Sequence, residues 1–196
     1  MPRRMVPQAP VDRPPLVRNG LIAVIAVIVS ECMLFAGLIG SFLVFRLSAA
    51  TWPPADLPRL PLGVTALNTV VLLASLRPLA GALRAVRAGR SGADRALAVA
   101  AGLGGIFLLV QGAEWVRLVQ HGVTLGTSLY GATFYLLIGC HAVHVLAAVG
   151  WLAGLALFAR AGRLLPARAI LLETATVYWY FVCVLWLLLF GLVYIF

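Results

Sequence analysis

Three acidic side chains stand where acids are rare, inside long apolar runs: Glu31, Glu114 and Glu173. Glu31 lies about 11 residues into its run, hence ~17 Å along a helix rising 1.5 Å per residue. An ionisable residue at that depth in a bilayer costs several kcal/mol and faces a bundle interior, a cavity or a partner. Two readings stay open for Glu31: a group that handles a proton or contacts lipid, or a neutral carboxyl hydrogen-bonded within a bundle. Glu114 and Glu173 fall toward the ends of their runs, where a carboxylate facing solvent or headgroups is the better reading. His141 and His144 are spaced i, i+3 and so share one helix face. Tyr130 and Thr133 extend that face. A haem or a metal would be the sharp assignment. A metal, however, usually takes three or four ligands, and the acids and His121 offer no clear set. Histidines one turn apart cannot ligate opposite faces of one haem, so a hydrogen-bonded interhelical pair is the better reading. Glu173, Thr176, Tyr180 and Cys183 form another single-face stripe, among Tyr178, Trp179, Phe181 and Trp186. This reads as a packing face, since these aromatics lie too deep to be an interfacial belt.

The elements that position these groups follow from hydropathy. Of 196 residues, 63% are hydrophobic and 11% charged, with a mean hydropathy of +1.04. Soluble domains are about half apolar. A spanning helix needs ~20 apolar residues, and five runs qualify: about 16–46, 62–83, 96–119, 128–158 and 169–196. Residues 1–15, rich in Pro and Arg, read as a loose tail; 16–196 read as one membrane domain. The fold class expected is all-α, a bundle of five transmembrane helices. The first run is too long for a signal-peptide core and carries Glu31. Gly89, Ser91 and Gly92 mark a turn between the second and third spans.

The net charge of +9 comes entirely from Arg. Arginines in short gaps, without interleaved aromatics, point to topology rather than nucleic acid. Eleven fall in the N-terminal tail and the second and fourth connections, and three (Arg46, Arg59, Arg117) on the other side. Arg77 snorkels near the inner end of its span. Positive charge gathers on the cytoplasmic side, so the N-terminus is expected inside and the C-terminus outside. Cys32, Cys140 and Cys183 sit in apolar runs and read as small buried hydrophobes. Small residues four apart (Ala36/Gly40, Gly37/Ser41, Ala101/Gly105, Gly150/Gly154) would let helices approach closely, with each other or with a partner. No nucleotide loop, nucleophile elbow, zinc motif or redox pair is present. No catalytic residue and no metal site is therefore expected.

Taken in order, the motifs resemble subunit III of the haem–copper oxidases, the cytochrome c and quinol oxidases. They are Ser30-Glu31-x-x-Leu34-Phe35-x-Gly37, Trp52-Pro53-Pro54 and Leu67-Asn68-Thr69-x-Val71-Leu72-Leu73-x-Ser75, then Glu114-Trp115. Ser128-x-Tyr130-Gly131-x-Thr133-Phe134 and Gly139-x-His141-x-x-His144-Val145 follow. Glu173 and Tyr178-Trp179-x-Phe181-Val182 with Trp186 complete the set. Their joint order covers nearly everything past the tail. The resemblance implies a non-catalytic cap on subunit I, which carries the haems and copper, in a complex that also contains subunit II. It implies no cofactor on this chain, bound phospholipids in a cleft between helices, and support of proton uptake and sustained turnover. It implies a multi-pass protein of a prokaryotic plasma membrane, in a five-helix form lacking the first two of seven helices. Glu31 then matches a membrane carboxylate near lipid, and His141 and His144 a histidine pair that binds no metal; the three are the lipid-binding or proton-linked residues the resemblance implies. Glu114, Glu173, Trp179, Tyr180 and Asn68 match structural polar or interface positions. Tyr180 stands where the family usually has His, and Cys183 where it has Asp, which alters any network between the last span and the fourth. A related accessory protein of nitric oxide reductases is the neighbouring alternative. A stand-alone transporter and a membrane haem protein are the distant ones.

Overall fold

The computed structural model describes residues 15–52, 54, 60–126 and 128–196. The tail expected over 1–15 therefore lies almost wholly outside the described residues, as does Pro53 of the Trp-Pro-Pro motif. Among the described residues all regular structure is helical. The helices are α1 (Pro15–Ser48), α2 (Leu62–Ala74), α3 (Leu76–Arg87), α4 (Ala93–Gln120), α5 (Leu129–Arg160) and α6 (Ala169–Phe190). A 3-10 turn (Pro166–Arg168) leads into α6, and a π-helical turn (Gly191–Ile195) continues it. With α2 and α3 taken together, five helical segments are long and apolar enough to cross a membrane, and the chain is a polytopic helical membrane protein.

The second span is broken where one continuous span was expected. Pro78 has no N–H to give the carbonyl of Ala74, and its ring crowds that carbonyl. α2 accordingly ends at Ala74. Ser75 absorbs the break: its hydroxyl donates to the Leu72 carbonyl at 2.5 Å and accepts the indole N–H of Trp179 at 2.9 Å. Two turns outward, Trp186 donates to Thr69 Oγ1 at 2.9 Å. At the other end, Arg87 Nε and Nη2 both reach Glu173 Oε1, at 3.0 and 2.9 Å. α2–α3 and α6 thus run antiparallel and are tied at three levels. In hydrocarbon no water can replace these partners, although measured interhelical hydrogen bonds in membranes average only ~0.6 kcal/mol. Ser75 and Trp179 are both fully buried, so an unpaired indole would cost nearer the ~1–3 kcal/mol of an unsatisfied buried group. We expect Ser75→Ala to lower stability in detergent by about 1–2 kcal/mol, and Ser75→Thr, which keeps the hydroxyl, by less.

α6 lies against α1, α2, α3 and α5, and α4 against α2, α3 and α5. Trp179 and Trp186, seven residues apart and fully buried, form its core-facing stripe. Trp179 fits because α4 has Gly104 opposite. A Cβ there would stand 2.5 Å from Trp179 Cη2 and 2.7 Å from Val149 Cγ2. The small pairs singled out in the sequence do not perform this role. Gly37, Gly40, Gly105, Gly150 and Gly154 face open space within this chain. On α4 the residue that makes room for a bulky side chain opposite is Gly104, one position away from Gly105.

α1 is held differently. It rests on α5 and α6 alone among its strong neighbours, through a narrow stripe that includes Val24, Ile28, Phe35 and Phe42. Ile22, Ile25, Val29, Met33, Val44 and Leu47 are exposed. Tight turns join the other helices. Gly89 and Gly92 adopt φ of +63° and +97° between α3 and α4, a region that glycine enters without penalty. Ser128 caps α5 by accepting the Gly131 N–H at 3.0 Å. A Cβ on Gly131 would run into the Thr124 carbonyl, so glycine is required in the first turn of α5.

Candidate functional site

Glu31, on the buried stripe of α1, meets His144 of α5 across the helix interface. Its Oε2 lies 2.7 Å from Nε2, with side chains 21% and 14% exposed. The other ring nitrogen, Nδ1, is 2.7 Å from the Cys140 carbonyl, so it carries a hydrogen and donates. Nε2 of a neutral ring is then an acceptor. Two lone pairs do not rest 2.7 Å apart, so one proton belongs to the contact. It makes either a carboxylic acid against an imidazole or a carboxylate against an imidazolium. The contact lies off the line of a hydrogen bond, and a small rotation of either group aligns it. Phe35, one turn along α1, closes the pair from one side, its ring 5.3 Å from that of His144 in edge-to-face contact. Cys140 and Tyr178 lie within electrostatic reach of Glu31. With one proton in the contact the pair is neutral as a unit, and that proton can pass between carboxyl and imidazole without changing the net charge inside the membrane.

An apolar groove of about 470 Å³ runs beside this pair. It is lined by Gly20, Val24 and Val27 of α1, Ala147 and Trp151 of α5, and Tyr178 of α6. Residues 20, 24, 27 and 31 fall at successive i+4, i+3 and i+4 steps on α1, so the groove follows the helix face that ends at Glu31.

The histidines separate, although they share a face. His141 is 1% exposed, stacks on Trp186 with centroids 5.2 Å apart and planes at 25°, and touches Phe35 edge-on at 6.5 Å. Neither of its ring nitrogens has a hydrogen-bond partner. Of the two histidines only His144 makes a polar contact to another helix, with Glu31, and His141 packs as an aromatic ring. Among the described residues no three side chains of His, Cys, Asp or Glu converge as metal ligands would.

The remaining polar residues take structural places. Asn68 donates from Nδ2 to the Phe107 carbonyl at 2.9 Å, tying α2 to α4. Glu114 differs from its reading as a solvent-facing group. It is 6% exposed and paired with Arg117 of its own helix at 2.6 Å. Glu173 stays at the bundle end with Arg87. The stripe read as a packing face divides: Thr176 and Cys183 are buried, whereas Tyr180 is 40% exposed, pointing away from the bundle near the middle of the last span. Sequence reasoning passed over Gln111, which is buried and donates from Nε2 to the Tyr194 hydroxyl at 2.9 Å. A glutamine in mid-helix within an apolar run was the available signal.

A helical membrane protein with one carboxyl–imidazole pair in its interior, and otherwise structural polar contacts, is the class the geometry defines. The family model of cytochrome c oxidase subunit III matches residues 11–196. The probable cytochrome c oxidase subunit 3 of Mycobacterium leprae is 34% identical over 93% of this chain and 89% of its own length. The cytochrome c oxidase subunit 3 of Corynebacterium diphtheriae is 32% identical over 95% and 91%. That of Synechocystis is 32% identical over 89% of this chain and 75% of its own. The chain belongs to the cytochrome c oxidase subunit III family.

Proposed function

We propose that this chain is the non-catalytic subunit III of a bacterial haem–copper terminal oxidase in aerobic respiratory electron transport. It caps the haem- and copper-bearing subunit I, alongside subunit II, holds structural phospholipid beside Glu31, and supports proton uptake and the working life of the complex. Membership of the family supports the subunit assignment. The Glu31–His144 pair carries the rest: a one-proton pair inside the membrane, with an apolar groove of about 470 Å³ ending one helical turn from it along α1. The groove and the sparsely covered α1 suit lipid, and the pair, which can pass one proton between its two members, suits a proton-linked role. The Arg distribution supports an inside N-terminus. On that orientation a cysteine placed at Gly89 is labelled by an impermeant maleimide only from the cytoplasmic side, and one at Gly122 only from outside.

Glu31→Gln tests the proposed role. The amide retains a donor for His144 Nε2, so assembly is expected to stay near wild type. The variant loses the exchangeable proton, so the active lifetime of the complex shortens or its turnover slows several-fold. Unchanged lifetime, turnover and lipid content in a fully assembled Glu31→Gln complex would leave the pair a packing contact only.

A further inference from the structure

A second cavity lies at the far end of the bundle from the groove beside Glu31. It occupies about 350 Å³ where α1 ends, α2 and α5 begin and the π-helical turn closes the chain. Its walls include Arg46, Trp52, Tyr130, Tyr194 and Phe196. Arg46 is the only residue with a formal side-chain charge among those lining it. Its guanidinium is fixed over two rings, 4.7 Å from the Phe196 centroid and 5.9 Å from that of Phe42. Trp52 stands edge-on to Phe42 at 5.8 Å and to Tyr130 at 5.1 Å. Among the described residues Arg46 has no acidic partner. Arginine and the indole can only donate, and a tyrosine hydroxyl can donate. Three donors around one cavity, one of them a partly buried cation, call for an anionic acceptor. Trp and Tyr mark the level of the bilayer–water interface.

We propose that this cavity is a binding site for the phosphate of an anionic phospholipid headgroup in that leaflet. Arg46 supplies the charge, and Trp52 and Tyr130 the directional hydrogen bonds. The site goes beyond the proposed function, which places lipid only beside Glu31. Phosphate is the shared chemistry of a headgroup and of the free ion, and the exposed apolar flank of α1 at Val44 and Leu47 favours the lipid, whose chains would lie along it.

The test is lipid retention on this chain, purified with whatever subunits accompany it. Samples are stripped in mild detergent, equilibrated with phosphatidylglycerol or phosphatidylcholine, and counted by native mass spectrometry. Wild type is expected to hold phosphatidylglycerol at this site about five-fold more tightly than Arg46→Gln, the worth of one arginine at a membrane surface, with no such difference for phosphatidylcholine. Inorganic phosphate at millimolar concentration should not displace it. Equal retention by wild type and Arg46→Gln would overturn the proposal. Displacement by inorganic phosphate would also overturn it, in favour of a small-anion site. Should Arg46→Gln fail to fold, Trp52→Phe and Tyr130→Phe give the same reading through the lost donors. Recovery of the haem-bearing subunit is scored in the same samples. Its absence would count against the subunit assignment, whereas equal lipid retention in its presence would count against this site alone.

Discussion

Gly104→Ala is expected to destabilise the bundle by about 1–3 kcal/mol, the usual cost of one extra group in a packed core. Gly104→Leu is expected to abolish accumulation of the folded protein. The added methyl would meet the Trp179 ring at 2.5 Å and Val149 at 2.7 Å. Neither can yield cheaply: Trp179 is fully buried and its indole is anchored on Ser75. Gly105→Ala is the control. A Cβ there meets nothing within 4 Å, and alanine is the better helix former by up to ~1 kcal/mol, so this neighbour should be neutral or slightly stabilising. Denaturation in mixed micelles, followed by tryptophan fluorescence, separates the two. Equal midpoints for Gly104→Ala and wild type would mean that α4 and α6 do not meet as described.

The Glu31–His144 contact should show itself as strong coupling. His144→Leu leaves a carboxyl inside the membrane with no base beside it. Glu31→Leu leaves Nε2 of a nearly buried ring with nothing to bond. Each single change is expected to cost about 1–3 kcal/mol, the penalty of an unsatisfied buried polar group. The double replacement should recover much of that, because exchanging both members of a buried pair for apolar groups is often close to neutral. A double-mutant cycle in the same micelles therefore predicts a coupling of at least ~1 kcal/mol. Simple additivity would show that the two groups do not share a proton.

Much of this architecture was readable without coordinates, because the bilayer imposes lengths. Five apolar runs of sufficient size became five spanning segments, and glycines at 89 and 92 became the turn between two of them. The break at Ser75 carried a signal too, in Pro78, but hydropathy averages over a single proline. The site was legible only in its membership. Glu31 was marked by depth and His144 by its residue type. That these two meet, while His141 turns to Trp186, depends on which faces of α1, α5 and α6 are apposed. Spacing within one helix fixes a face but not its neighbour. The same gap explains the burial of Glu114, though its i+3 partner Arg117 on the same helix was within reach of spacing, and Tyr180, which shares a nominal stripe with Thr176 and Cys183 yet lies outside the buried arc. It also explains the small-residue pairs: their spacing is visible in the sequence, but the bulk they must accommodate lies on another helix.

Tyr180 extends the account toward the rest of the complex. A phenol 40% exposed near the middle of the last span has no water to bond there. Tyr180→Phe is expected to leave the isolated chain as stable as wild type, and to weaken its retention in the complex if the partner supplies the missing acceptor. Retention through successive detergent washes measures this directly.

The central claim is that the chain works as one subunit of a haem-bearing oxidase. Mild-detergent purification through a tag on this chain tests it most directly, with a reduced-minus-oxidised spectrum and mass spectrometry of what accompanies it. A large haem-containing subunit is expected to co-purify with the absorbance of an oxidase, and the chain freed from it to be colourless. A chain that emerges alone, monodisperse and without haem, from membranes that contain an active oxidase would contradict it.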